Sequence, residues 1–131
     1  MKKDFKTIDV KPTEKTSKHE DAGTLLSRLG DYDYLKEFRK IKNMGRNSKV
    51  WFFVNTGGKQ FLGQAIALTM GWKVTVFDGH MGDTSMVPVA KFSANDRFQL
   101  EEMMYSLYFT LTNIAEETKN SEEDENDDQN D

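Results

Sequence analysis

The chain contains no cysteine, only two histidines and only two prolines. The first absence removes disulfides, zinc ribbons and thiol nucleophiles, and two isolated histidines, His19 and His80, cannot build a multi-histidine metal site. There is no apolar run of roughly 18 residues that would cross a bilayer. The opening MKKDFKTIDVKPTEK lacks the apolar segment of a secretory signal. These gaps lead to the expectation of a soluble, cytoplasmic protein that uses no metal or cofactor and is not an enzyme. At 131 residues the chain is one domain's worth of sequence.

What is present is charge, unevenly placed. The formal net charge is −4, yet residues 116–131, EETKNSEEDENDDQND, hold nine acidic residues against Lys119 alone. Residues 1–115 hold seventeen basic residues against thirteen acidic, so the body is net basic and the acidity belongs to the tail. Positive charge concentrates between Lys36 and Lys59, where Lys36, Arg39, Lys40, Lys42, Arg46, Lys49 and Lys59 accompany one acidic residue, Glu37.

Residues 1–22 are polar and aperiodic, too poor in apolar surface to offset ordering entropy, and are expected to form a disordered arm. Residues 23–118 carry the periodic patterns of a single domain, and 119–131 read as a disordered acidic tail. Within the domain, TLLSRL (24–29) predicts a helical turn closed by Gly30. Asp31 or Asp33 then caps a helix in which Tyr34, Leu35, Phe38 and Ile41 recur at helical spacing, with Gly45 as the stop. Lys36, Arg39 and Lys40 fall opposite that apolar stripe. KVWFFVN (49–55) and WKVTVFD (72–78) have the aromatic and β-branched composition of strands. The segment 59–70 between them predicts a helix, Phe61, Ala65 and Leu68 lying on one face. Its alternative is a strand, since Thr56-Gly57-Gly58 is also a hairpin signal. SMVPVAKF (85–92) is a further strand, which Pro88 pushes to an edge or a bulge. From a capping box at Ser93 and Asp96, Leu100, Met104, Leu107, Leu111 and Ile114 repeat at alternating four- and three-residue steps. That is a long amphipathic helix whose face, widened by Met103, Tyr108 and Phe109, packs on the sheet with surplus for a second copy of the chain. The expected fold is α+β: three strands, or four if 59–70 is extended, against a long C-terminal helix, with a basic helix before the first of these strands.

Three places invite chemistry. The seven cations suit phosphates, and Trp51 and Phe53, alternating with Phe52, put two rings on one sheet face where bases can stack. NTGGKQFLG (55–63) sets a Gly-rich turn and Lys59 where a phosphate could be received. It is no P-loop, because GxxxxGK[ST] is absent and Gln60 stands in place of the magnesium-binding hydroxyl. FDGHMGDTS (77–85) gathers Asp78, His80 and Asp83 in a loop, a thin basis for acid–base catalysis because the same residues are turn formers and no nucleophile accompanies them.

A basic, aromatic body followed by an acidic tail resembles the organisation of bacterial and phage single-stranded-DNA-binding proteins. The resemblance implies that the tail competes internally with nucleic acid for the basic surface. In the four-strand version, the order of sheet and then long helix is similar to the Whirly type of single-strand DNA-binding protein. The function expected is therefore non-catalytic binding of nucleic acid, single strands before duplex, with Lys36, Arg39, Lys40, Lys42, Arg46, Lys49 and Lys59 on phosphates and Trp51 and Phe53 under bases. The alternative is a small inhibitor or adaptor whose acidic tail mimics nucleic acid toward a basic partner protein.

Overall fold

The structure, a computed structural model, describes the backbone of residues 7–14, 22–79 and 86–130, with side chains as far as Glu117. Four antiparallel strands form a meander, β2 (Lys49–Thr56), β3 (Lys59–Ala67), β4 (Trp72–Asp78) and β5 (Val87–Ala94). A two-residue strand, β1 (Ile8–Asp9), adds in parallel beside β5, giving the order β1-β5-β4-β3-β2. Three helices complete the chain: α1 (Thr24–Ser27), α2 (Tyr32–Lys42) and α3 (Arg97–Asn130). The α+β class is as expected, with five strands rather than three or four. No helix among the described residues is long and apolar enough to cross a membrane.

Alternation along the strands separates two faces. On the inner face Phe52, Gly63, Val76 and Ala90 stand in register across β2 to β5, and the three side chains are fully buried. Gly63 lies under the Phe52 ring, and a Cβ there would overlap ring carbons. This close approach is what lets a phenylalanine lie flat across the neighbouring strand. Against this face pack Leu100, Met104, Leu107 and Leu111 of α3 and Tyr34, Phe38 and Ile41 of α2, all buried. Removing this much apolar surface from water is the main stabilising contribution.

Segment 59–70, expected as a helix, is β3 for most of its length. Gly57 and Gly58, with φ of 64° and 77°, make the two-residue turn whose twist suits a hairpin. Phe61, Ala65 and Ala67 then alternate inward. The helical reading arose because Leu62 and Ile66, on the opposite face, are apolar too, so both sides of the strand look alike in sequence. Ser93 likewise belongs to β5, and the cap of α3 sits three residues later. The Asp96 carboxylate accepts from Gln99 N at 2.8 Å, and Gln99 reaches back to accept from Asn95 N at 2.6 Å. Pro88 lies where the β4–β5 register shifts, a bulge that needs no donor from it.

The expected arm, residues 1–22, is corrected where it is described. Val10 is buried and donates its N–H to Lys91 O at 2.9 Å, while Thr13 N donates to Ser106 Oγ at 2.8 Å. A short pairing segment of this kind has too few apolar residues to announce itself by period. Residues 1–6 and 15–21, with His19, lie outside the described residues, as do residues 80–85 with His80 and Asp83 and the side chains of the tail.

Candidate nucleic-acid interface

The helices pack on the inner face, which leaves the outer face of the meander open. Its residues follow from the register in rows: Lys49, Ile66, Lys73 and Ser93; Trp51, Gln64, Thr75 and Lys91; Phe53, Leu62, Phe77 and Pro88; Asn55 and Gln60. Trp51 is 36% exposed and Phe53 45%, and the Trp51 and Phe77 rings lie 6.5 Å apart, tilted by 44°. Leu62, between Phe53 and Phe77 in register, is only 1% exposed. Trp51 and Phe53 thus stand exposed over a sealed base, with the half-buried Phe77 ring beside Trp51.

Around these rings the cations divide by function. Lys49 and Lys73 are exposed members of the outer face itself and make no ion pair among the described residues. Lys91 shares the face and approaches Asp9 at 3.9 Å. Lys36, on α2, borders the cleft that Phe53 lines and lies 5.7 Å from the Tyr32 ring centroid. Arg46 occupies the connection before β2. Asn47 N in that connection donates to Ala67 O, which brings it to the same end of the sheet as Lys49.

The remaining candidates are placed elsewhere. Lys40 Nζ donates to Trp51 O at 3.1 Å and pairs with Glu37 at 2.8 Å, and Glu37 Oε2 accepts from Phe53 N at 2.9 Å. Together they satisfy two outward backbone groups of β2, the edge strand, so Lys40 holds structure with its charge neutralised. Lys59 pairs with Asp78 at 3.2 Å and lies on the helix side of the sheet, opposite Thr56 in register. Lys42 sits 5.9 Å from the Phe38 ring centroid and lines a cleft with Trp72 and Phe98. Arg39 is exposed on α2 and reaches toward Gly23, on the side of α1. The seven cations clustered between Lys36 and Lys59 therefore split between two sides of the molecule.

Comparison with protein families, with characterised proteins and with solved structures finds no match. Among the described residues no three histidine, aspartate or glutamate side chains gather as metal ligands would. Several members of the outer face went unnoticed in sequence: Gln60 and Gln64 because β3 reads as a helix, Lys91 because it lies far along the chain. Lys73 and Phe77 were visible in the alternation of WKVTVFD, which puts both on the face opposite Val74 and Val76.

Proposed function

We propose that the protein binds single-stranded nucleic acid on the open face of its sheet, without catalysis. The observation that carries this reading is the pair of exposed rings, Trp51 and Phe53, with half-buried Phe77 beside them, set among Lys49, Lys73 and Lys91 on a face that no described element covers. Rings accept any base by stacking, and flanking ammonium groups neutralise phosphates and release counterions. Rings on an open sheet face suit unpaired bases, whose faces are accessible, better than a duplex, whose grooves call for a projecting helix or ribbon. The anionic tail supplies an internal competitor for the same cations.

The test is binding of a labelled single-stranded oligonucleotide across a range of salt. With Lys36, Lys49 and Lys73 each holding a phosphate, log affinity against log salt has a slope of about −2. Trp51→Ala weakens binding by about 1–3 kcal/mol. Lys73→Ala makes the slope shallower by about 0.7, whereas Lys40→Ala, which removes a charge already paired, leaves the slope as it was. A salt-independent interaction, or equal effects of the two lysine substitutions, contradicts the reading.

A further inference from the structure

Where α2 begins beside the hairpin end of β2 and β3, a cleft of about 290 Å³ is lined by Asp33, Lys36, Glu37, Phe53, Asn55 and Gln60. Its size is near the lower end for small-molecule sites, roughly 300 Å³. Two carboxylates in it are an oddity on a face suited to phosphates. Glu37 is accounted for by the β2 edge, with one oxygen taking Phe53 N–H and the other facing the Lys40 ammonium. Asp33 is not. It is exposed and makes no hydrogen bond or ion pair among the described residues, and the cap of α2 is supplied by Asp31, whose Oδ1 accepts from Tyr34 N at 3.0 Å. A free carboxylate beside a stacking ring repels phosphate but accepts from the donor edge of a base.

We propose that this cleft reads a guanine base of the bound strand. The inference rests on the platform reading and adds a preference to it. Phe53 supplies the stacking surface. Both oxygens of Asp33 accept from the adjacent N1–H and N2–H donors of guanine, while the amides of Asn55 and Gln60 are the donors available to its O6. Guanine is the natural base with two neighbouring donors on its pairing edge. Cytosine and adenine each offer one exocyclic amine, and thymine presents an imino donor flanked by two carbonyl oxygens that a carboxylate repels. The same negative charge turns the phosphate backbone away from the cleft and toward the lysines of the sheet.

The experiment compares a thymidine strand of about twelve nucleotides with the same strand carrying one central dG, dC or dA. The full-length protein is used at fixed salt, with binding followed by anisotropy of a label on the strand. The wild-type protein binds the dG strand about tenfold more tightly than the all-dT strand, with dC and dA between. Asp33→Asn, a change at an exposed position that leaves the Asp31 cap in place, removes the dG advantage and, because it also removes a charge that repels phosphate, leaves all-dT binding no weaker than in the wild type. Far-UV circular dichroism of the variant matches that of the wild type. Binding of all four strands with equal affinity, or a dG advantage that survives Asp33→Asn, overturns the guanine assignment and leaves the platform standing. Failure of every strand to bind at low salt overturns the platform, and the guanine assignment falls with it.

Discussion

Tyr34 carries much of the contact between α2 and α3. It is 2% exposed, its hydroxyl donates to Met104 O at 2.5 Å, and its ring lies 5.0 Å from that of Tyr108, whose own hydroxyl donates to Asp31 Oδ2 at 3.0 Å. Burial pushes the Tyr34 phenol well above its ordinary pKa of 10.0, and the charges that Tyr108 and Asp31 place nearby push it the same way. Burial raises Tyr108 as well, helped by its hydrogen bond to Asp31 and opposed by one to Thr56. The sign for stability follows. In alkaline solution the unfolded chain loses these protons first, so the contribution is complete below the ordinary value and is lost as pH rises from there through the folded pKa. Tyr34→Phe is expected to lower stability by about 1 kcal/mol at neutral pH through the lost hydrogen bond. It is also expected to flatten the alkaline decline, so that wild type and variant converge above about pH 11. Urea midpoints measured at the two pH values check both statements.

Buried Glu101 is a different kind of residue. Its Oε2 accepts from Leu26 N at 2.8 Å, tying α3 to α1, while Oε1 has no hydrogen-bond partner. Its place in sequence, between Leu100 and Glu102, marks it as neither buried nor exposed. The pattern of Leu100, Met104, Leu107 and Leu111 was sufficient to find the helix but not this polar insertion in its packed side.

Among the elements, the relation of α2 to β2 is the most informative. An edge strand offers unpaired N–H and C=O groups to any other strand. Here Glu37 and Lys40, one helical turn apart on α2, occupy those of Phe53 and Trp51. Glu37→Ala therefore opens the edge. The expected outcome is a loss of about 1 kcal/mol in stability together with concentration-dependent self-association, read by light scattering, that Lys40 alone does not prevent. A variant that remains monomeric at high concentration would assign the edge protection to the bulk of α2 rather than to this ion pair. In sequence the same two residues read as part of a solvated charged face. Helical periodicity reveals which way a side chain leaves its own helix, and nothing about which strand lies alongside.

At the scale of the whole molecule the charge distribution decides behaviour. Residues 116–131 carry nine acidic side chains against one lysine, tethered to a body whose open face presents Lys49 and Lys73. A tethered polyanion competes at high local concentration, and the competition is screened by salt. Removing residues 119–131 is expected to tighten oligonucleotide binding several-fold at low ionic strength and to have a much smaller effect at about 1 M salt, where the Debye length falls to roughly 3 Å. Titration of both forms at the two salt concentrations measures the difference. Equal affinities at low salt would mean that the tail, whose backbone continues α3 as far as Asn130, does not reach the proposed binding face.

Much of the architecture was open to sequence reading because it rests on local chemistry. The helical spacing of Tyr34, Phe38 and Ile41, the strand composition of KVWFFVN and WKVTVFD, the break at Pro88 and the long amphipathic run after Asp96 each depend on neighbours a few residues apart. So does the alternation that puts Trp51 and Phe53 on the same face. The tertiary structure alone decided which cations stay free, since pairing of Lys59 with Asp78 and capping of β2 by Lys40 join residues that sequence separation keeps independent. It also decided that 59–70 is extended, because a segment apolar on both faces takes its form from the strands that hydrogen-bond on either side of it. Composition and period act along the chain, whereas exposure and charge pairing are settled by what folds back against it.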